Sequence, residues 1–459
     1  EHTRVSVYRG NPMKPTTPIN IVFLHSHNTG RYIEPYGYKV PTPNLQRMAE
    51  DGVLFRNAFA AAPTCSPSRA SFLSGMWAHS CGMLGLAHRG FAMQDYSLHC
   101  AQYLKTQGYT TALAGVEHTA SDTEAVGYSK ILTGADPNYP GQEEALDTAE
   151  AAVNFLNDPP NSPFFLSVGL AETHIPFPDP EPAKYPSEDH RYNRPPMPLP
   201  DTEVTRRNMA AFTASARIMD EKYGLVLDAL ERSGLSENTI VFCFSDHGLQ
   251  FPRCMCNLTD HGIAVYCIAR GPGGFTGGKV IDNMISLIDL LPTAYDVAGI
   301  KAPSHIQGIS LKPLINGETN SHRDYIFAES NFHASYEPMR CVRTDTRKYI
   351  LRYDGRSKPV LPNMDDGPSK DLLLQHGWAD SHRDQEMLYD LIFDPAETNN
   401  LARSPEYTEI RAQLSDRLRE WMASTLDPIL ETGHIAPPKG SRINDADGLS
   451  PKEPQIEQN

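Results

Sequence analysis

Positive charge is in deficit in this chain. Its 459 residues carry 41 Lys and Arg against 56 Asp and Glu, a formal net charge of −15. Such a surface argues against nucleic acid or an anionic membrane as a partner. An anionic substrate must then be caught by a local cationic pocket, against the overall field. Cysteine is also scarce. The eight thiols, at positions 65, 81, 100, 243, 254, 256, 267 and 341, are too few and too unevenly spaced for a disulfide scaffold. No apolar run approaches the roughly 18 residues of a membrane span. No hydrophobic stretch follows Glu1-His2-Thr3-Arg4 to suggest a signal peptide. These features point to the cytoplasm, with secretion or a periplasmic location the alternative for a chain whose leader has been removed. Apolar residues make up 40% and aromatics 9%, enough for a large core, which excludes global disorder.

Short apolar runs alternate with helical patterns. Ile19-Asn20-Ile21-Val22-Phe23-Leu24 reads as a buried strand that ends in the polar His25-Ser26-His27-Asn28. Thr42-Pro43-Asn44 opens a helix through Leu45, Met48 and Ala49, which Gly52 ends, and Val53-Leu54-Phe55 restarts a strand. Residues 109–114, 163–168 and 239–244 are further strands, and the last leads into Ser245-Asp246-His247-Gly248. Residues 203–232 form a long amphipathic helix with Phe212, Met219, Tyr223, Val226 and Leu230 on one face. The order predicts an α/β fold: a large mixed, mostly parallel sheet sandwiched by helices, with chemistry at the carboxyl ends of the strands. The Pro-rich segment 178–200 reads as an irregular loop on the substrate side. From about 338 the pattern turns antiparallel, with strands at 339–343, 348–353 and 386–391 and a helix at 405–423. The expected division is a catalytic domain over 1–337, an α+β subdomain with an antiparallel sheet over 338–435, and an extended tail over 436–459. No internal repeat is visible.

The sharpest local feature is Pro63-Thr64-Cys65-Ser66-Pro67-Ser68-Arg69-Ala70-Ser71-Phe72-Leu73-Ser74-Gly75. It sets Cys65 at a helix N-terminus, where backbone N–H groups and the dipole favour an anion or a thiolate. Arg69, one turn on, can aim a fork of donors at the same anion. A buried core thiol beside a capping Ser is the other reading of this spacing. Asp246-His247 after a buried strand needs a charged partner. Cys254-Met255-Cys256 beside Asp260-His261 offers soft ligands for copper or zinc, or else two buried thiols. Gly271-Pro272-Gly273-Gly274 and Gly277-Gly278 lack the Lys-Ser/Thr ending of a phosphate loop and are turns. His88 reads as a surface residue.

The 63–75 stretch resembles the signature of the type I sulfatases, of the alkaline-phosphatase-like superfamily. The resemblance extends to the opening strand, to Ser245-Asp246-His247-Gly248, and to Leu388-Tyr389-Asp390-Leu391 with Asp394-Pro395 and Asn400-Leu401. It is most similar to the heparan N-sulfatase (sulfamidase) branch, through Phe55-Arg56-Asn57-Ala58-Phe59, 65–71, and Phe251-Pro252 with Asn257-Leu258. The resemblance implies a hydrolase of sulfate esters or N-sulfates, acting on carbohydrate. Cys65 would be oxidised to formylglycine by a formylglycine-generating enzyme, its hydrate serving as nucleophile. Arg69 would stabilise that diol, His118 would bond the nucleophile or sulfate, and His174 would contact sulfate or protonate the leaving group. A divalent metal, calcium in most of the family, would rest on His27, Asn28, Asp246 and His247. Apart from the resemblance, Arg253 and Arg31 are substrate-binding candidates: Arg253 lies two residues from the family's second Lys position, and Arg31 lies near the pocket in sequence, with a plain surface residue as its other reading.

This chain departs from the family at three places. The usual pair of Asp after the first strand is His27-Asn28, which suits zinc, manganese or copper better than calcium. The two sulfate-binding Lys positions are Val116 and Met255. Two alternatives follow: a phosphodiester or phosphonate monoester hydrolase on the same fold, and a sulfatase-fold protein whose altered His/Cys metal site does redox or binding work.

Overall fold

The computed structural model describes residues 18–133, 147–180 and 185–458. The N-terminal residues examined for a leader, and 181–184 of the Pro-rich segment, lie outside the described residues. Among the described residues, nine strands form the main sheet: β1 (Asn20–Ser26), β2 (Val53–Phe59), β3 (Thr110–Gly115), β4 (Lys130–Thr133), β5 (Phe164–Gly169), β6 (Thr239–Ser245), β7 (Ala264–Val265), β8 (Cys267–Arg270) and β9 (Lys279–Ser286). Their order is β4-β3-β5-β1-β6-β8-β2-β7, with β9 also on β2. The run from β4 to β6 is parallel, while β8 lies antiparallel between β6 and β2.

Alternation along β1 explains the sandwich. Ile21 and Phe23 face one side with Phe242 and Phe244, under α2 (Cys65–Ser74) and a helix over Leu290–Ala298. Val22 and Leu24 face the other, under α1 (Pro43–Asp51), α3 (Thr148–Asn157) and α4 (Glu203–Arg232). Both faces are buried, so the strands read as continuous apolar runs. On α4, Met219, Tyr223, Val226 and Leu230 form the buried stripe that their spacing predicts. The described part of the Pro-rich segment is a chain of short turns docked on α4, where Arg217 Nε meets Glu188 Oε1 at 3.2 Å.

A second, four-stranded antiparallel sheet runs β10 (Ile326–Phe332), β11 (Tyr336–Arg343), β12 (Arg347–Arg352) and β13 (Glu386–Asp390). Its first strand precedes residue 338, because Ala328, Glu329 and Ser330 pair with Cys341, Arg340 and Met339. One face packs under α5 (Thr408–Ser424) through Phe327 and Trp421, whose rings stack at 4.9 Å. The other meets Phe59, Leu258 and Ile263 at the margin of the main sheet.

The last residues correct the expectation of an extended tail. β14 (Arg442–Asn444) and β15 (Gln455–Glu457) form a hairpin, and Asn444 Oδ1 accepts from the buried Arg89 Nη1 at 2.8 Å. Among the described residues, no helix is long and apolar enough to cross a membrane. All eight cysteines are free and buried.

Candidate active site

Four neighbouring parallel strands, β3, β5, β1 and β6, end at one edge of the main sheet. His118 follows β3, His174 follows β5, His27 and Asn28 follow β1, and Asp246 and His247 follow β6. Ser26 pairs in register with Ser245, so the last two couples leave the sheet side by side. The turn after β1 is fixed by backbone bonds: Thr29 N and Gly30 N both donate to Ser245 Oγ, at 2.9 and 3.0 Å. Asn28 takes a left-handed backbone (φ 65°), which Asn tolerates better than most residues. Its N–H donates to Asp246 Oδ1 at 2.8 Å.

α2 delivers Cys65 as its first residue, after an extended Thr64. Cys65 Sγ lies 3.0 Å from His27 Nε2, 3.4 Å from His247 Nε2 and 3.9 Å from Asn28 Oδ1. Asp246 Oδ2 lies 3.6 Å from His27 Nε2 and 3.0 Å from Arg69 Nη2. One ligand atom from each of His27, Cys65, Asp246 and His247 falls within 4.8 Å of the others, and all four residues are buried. Arg69 is fully buried, its Nη1 3.0 Å from His25 Nδ1, while His25 Nε2 is 3.0 Å from Ser167 Oγ. Ser68 Oγ donates to Asp246 O at 2.6 Å, tying α2 to the β6 loop.

Burial dominates the electrostatics. It holds His25 and His27 well below the usual imidazole range, with the Arg69 charge adding to the effect. Burial also lowers His247, against the pull of Asp246. His118 is lowered by burial and then by His88. Burial and Asp246 push the Cys65 thiol well up, and Arg69 offsets this only in part. At this thiol desolvation outweighs the favourable Arg69 charge.

The model of the family described as Sulfatase matches residues 19–300, and that described as "N-sulphoglucosamine sulphohydrolase, C-terminal" matches 246–371. The chain belongs to the sulfatase family. An ulvan-active sulfatase of Formosa agariphila is 26% identical over 93% of this chain and 79% of its own length. The human N-sulphoglucosamine sulphohydrolase is 29% identical over 85% of this chain and 86% of its own. A solved structure described as a complex with its substrate D-glucosamine-2-N,6-O-disulfate superposes with a TM-score of 0.72 at 19% identity, over 90% of this chain and 99% of that one. This sulfatase is accordingly a hydrolase of sulfate esters or sulfamates on the alkaline-phosphatase-like fold. Neither the phosphonate-hydrolase nor the redox alternative is favoured.

Several expected residues sit elsewhere in the sulfatase. Arg31 is not among the groups gathered round Cys65; its charge bears on Asp260 and His261. Arg253 is exposed, and its Nη1 donates to Pro198 O at 3.1 Å. The soft-sulfur site at Cys254 and Cys256 does not form. Cys254 packs with Phe212 and Phe251, and Cys256 with Met255 and Met364, two separate apolar clusters. His88 is no surface residue: its Nδ1 lies 3.0 Å from His118 Nε2, with the rings stacked.

Sequence reasoning missed two positioning groups. Gln250 Oε1 accepts from Asn28 Nδ2 at 2.6 Å and from Ile175 N at 2.9 Å. Its Nε2 faces His174 Nε2 at 3.3 Å and donates to Asp365. One amide thus sets the pose of Asn28, which turns Oδ1 toward Cys65, and braces the His174 loop. Its only sequence signal is its place three residues after His247. Asp365 comes from the C-terminal part of the chain, with no local pattern to mark it.

Proposed function

We propose that this sulfatase removes sulfate from a sulfated saccharide, as an ester or a sulfamate, with formylglycine at position 65 as nucleophile. The observation that carries the reading is the position of Cys65 Sγ, 3.0 Å from His27 and 3.4 Å from His247, at the head of α2 beside Arg69. A thiol pushed up by burial is a poor nucleophile in this place, whereas a hydrated aldehyde is already an oxygen nucleophile. A formylglycine-generating enzyme would carry out the conversion. Arg69, anchored between His25 and Asp246, holds a fixed positive charge against the reacting group. His118 and His174 present imidazoles to the sulfate, and His174 donates a proton to the leaving oxygen or nitrogen. Arg253 stands at the rim for substrate.

The donor set also bears on the metal. Calcium takes six to eight oxygen ligands. Here the group offers two imidazoles, one carboxylate and the Asn28 carbonyl, and calcium is a poor fit. A divalent ion such as zinc or manganese suits imidazole and carboxylate together. Asp246 Oδ2 is buried and turned to the same centre as His27 Nε2, at 3.6 Å, and His247 Nε2, at 3.9 Å, with the Arg69 charge 3.0 Å away and no hydrogen bond, as a ligand atom of that centre would be. His27, Asn28, Asp246 and His247 would hold such an ion, which neutralises sulfate oxygens when bound.

Mass spectrometry of the peptide spanning Cys65, with metal analysis and a sulfate-release assay on one preparation, tests both points. The expected result is an aldehyde at position 65, one zinc or manganese per chain and turnover that Cys65→Ala abolishes. An intact thiol in a protein that still releases sulfate overturns the nucleophile. Calcium in the site overturns the metal assignment.

A further inference from the structure

A cavity of about 500 Å³ opens between the loop after β6 and the four-stranded sheet. Arg253, Arg383 and Trp378 line it, and the same three line a narrower recess with Cys256 and Asn363. Cys256 N donates to Pro63 O at 3.1 Å, two residues before Cys65. The recess wall therefore reaches the turn that carries the nucleophile.

Neither guanidinium on this wall has an ion pair among the described residues. Arg383 Nη2 donates to Asn257 Oδ1 at 3.1 Å, and Arg253 Nη1 to Pro198 O at 3.1 Å. The neighbouring carboxylates are engaged by others. Asp384 accepts from Asn400 at 2.9 Å and meets His382 at 3.2 Å. Glu397 pairs with Lys348 at 3.0 Å, and Glu337, the carboxylate whose charge Arg383 feels most, meets Arg352 at 3.6 Å and accepts from Asn363 at 3.0 Å. Arg383, half-buried, keeps its charge partly out of water without a carboxylate of its own, a cost that an incoming anion relieves, and the exposed Arg253 adds a second positive charge on the same wall. In a chain of net charge −15, two such groups on one wall form the local cationic pocket that an anionic substrate needs. Trp378 adds an aromatic surface of the kind that covers the apolar face of a sugar ring.

We propose that this cavity binds the sugar next to the one that loses its sulfate. Arg253 and Arg383 take a carboxylate or sulfate on that neighbouring sugar, and Trp378 takes its ring. The proposal rests on the saccharide-sulfatase reading and narrows its substrate to an oligosaccharide with an acidic neighbouring unit. Steady-state kinetics of the full chain test it on two disaccharides with the same scissile sulfate, one with a carboxylate on the neighbouring sugar and one with a neutral neighbour, and on an aryl sulfate. The acidic disaccharide should be preferred about tenfold or more in kcat/KM, the scale of one charged hydrogen bond. Arg383→Gln and Trp378→Ala should collapse that preference through KM, and Arg383→Lys should restore part of it. Equal kcat/KM for the two disaccharides, with the aryl sulfate still turned over, overturns the subsite alone. No turnover of any of the three overturns the sulfatase reading with it. If the variants fail to fold, calorimetric titration of the unaltered chain with the desulfated acidic disaccharide decides. Binding that weakens with salt supports the subsite, and no binding overturns it.

Discussion

Gln250 shows how much one amide can control at the residue scale. Gln250→Leu keeps the bulk but removes the acceptor for Asn28 Nδ2 and Ile175 N and the donor to Asp365. Asn28 is then free to rotate its carbonyl away from Cys65. If Asn28 holds a metal as proposed, affinity for it should fall by about 10- to 100-fold, the usual effect of losing a group that orients a ligand. Metal titration of the variant checks this, and an unchanged affinity would show that Asn28 is held by other means. Cys65, Arg69, Asp246 and His247 were legible as candidates in the sequence, because they lie within two compact motifs whose spacing carries chemical meaning. Gln250, His88 and Asp365 were not. Each acts through a contact made only when distant segments meet: His88 is 30 residues from His118, and Asp365 is 115 from Gln250.

At the scale of elements, buried charge ties the four-stranded sheet to the segment after α2 and to the chain just past α5. Arg340 on β11 reaches Asp427, just past α5, with Nε–Oδ2 at 2.5 Å, and also Glu329 on β10 at 3.7 Å. His79, from the segment after α2, pairs with Glu329 at 2.7 Å. Removing one partner strands a charge out of water. Asp427→Ala should therefore cost about 3–5 kcal/mol of unfolding free energy, measurable by urea titration. A cost under about 1 kcal/mol would mean that Glu329 alone satisfies Arg340. Elements with strong periodicity were legible before the structure: β1, β6 and α4 match their expected spans within two residues. β8 and β9 were not, because β8 is only four residues long and β9 mixes polarity along its eight, with a Gly-rich turn between them. The hairpin of β14 and β15 was missed for a related reason. Its strands are three residues each, and a partner, Arg89, rather than a pattern, holds it in place.

For the whole molecule, the perturbed groups sum to a pH dependence. Burial, followed by the charges of Arg89 and Arg442, pushes His88 down to about 4, and burial brings His261 to about 4. His118 and His333 are also well below their ordinary range of 6.5, through burial first. Below that range the unfolded chain binds protons at these sites and the folded chain does not. Stability is thus complete above pH 6.5 and is lost as pH falls toward about 4. Glu329, held at about 2 by His79 and Arg340 against the effect of burial, acts in the same direction at lower pH. Glu397, raised to about 7 by burial and then by Asp260, and Glu337 and Asp220, raised by burial first, act in the opposite direction, but these three face the larger set of lowered imidazoles, His25, His27 and His247 included. The Tm should decline between pH 7 and pH 5, and His88→Asn should make the decline shallower. A Tm that holds or rises on acidification would contradict the sign. The burial of Cys65 reaches further still. Its thiol is closed in by His27 and His247, from the loops after β1 and β6. A reagent that modifies this thiol therefore gains access only when the two segments part, and Cys65 should be labelled far more slowly in the native protein than in the denatured chain.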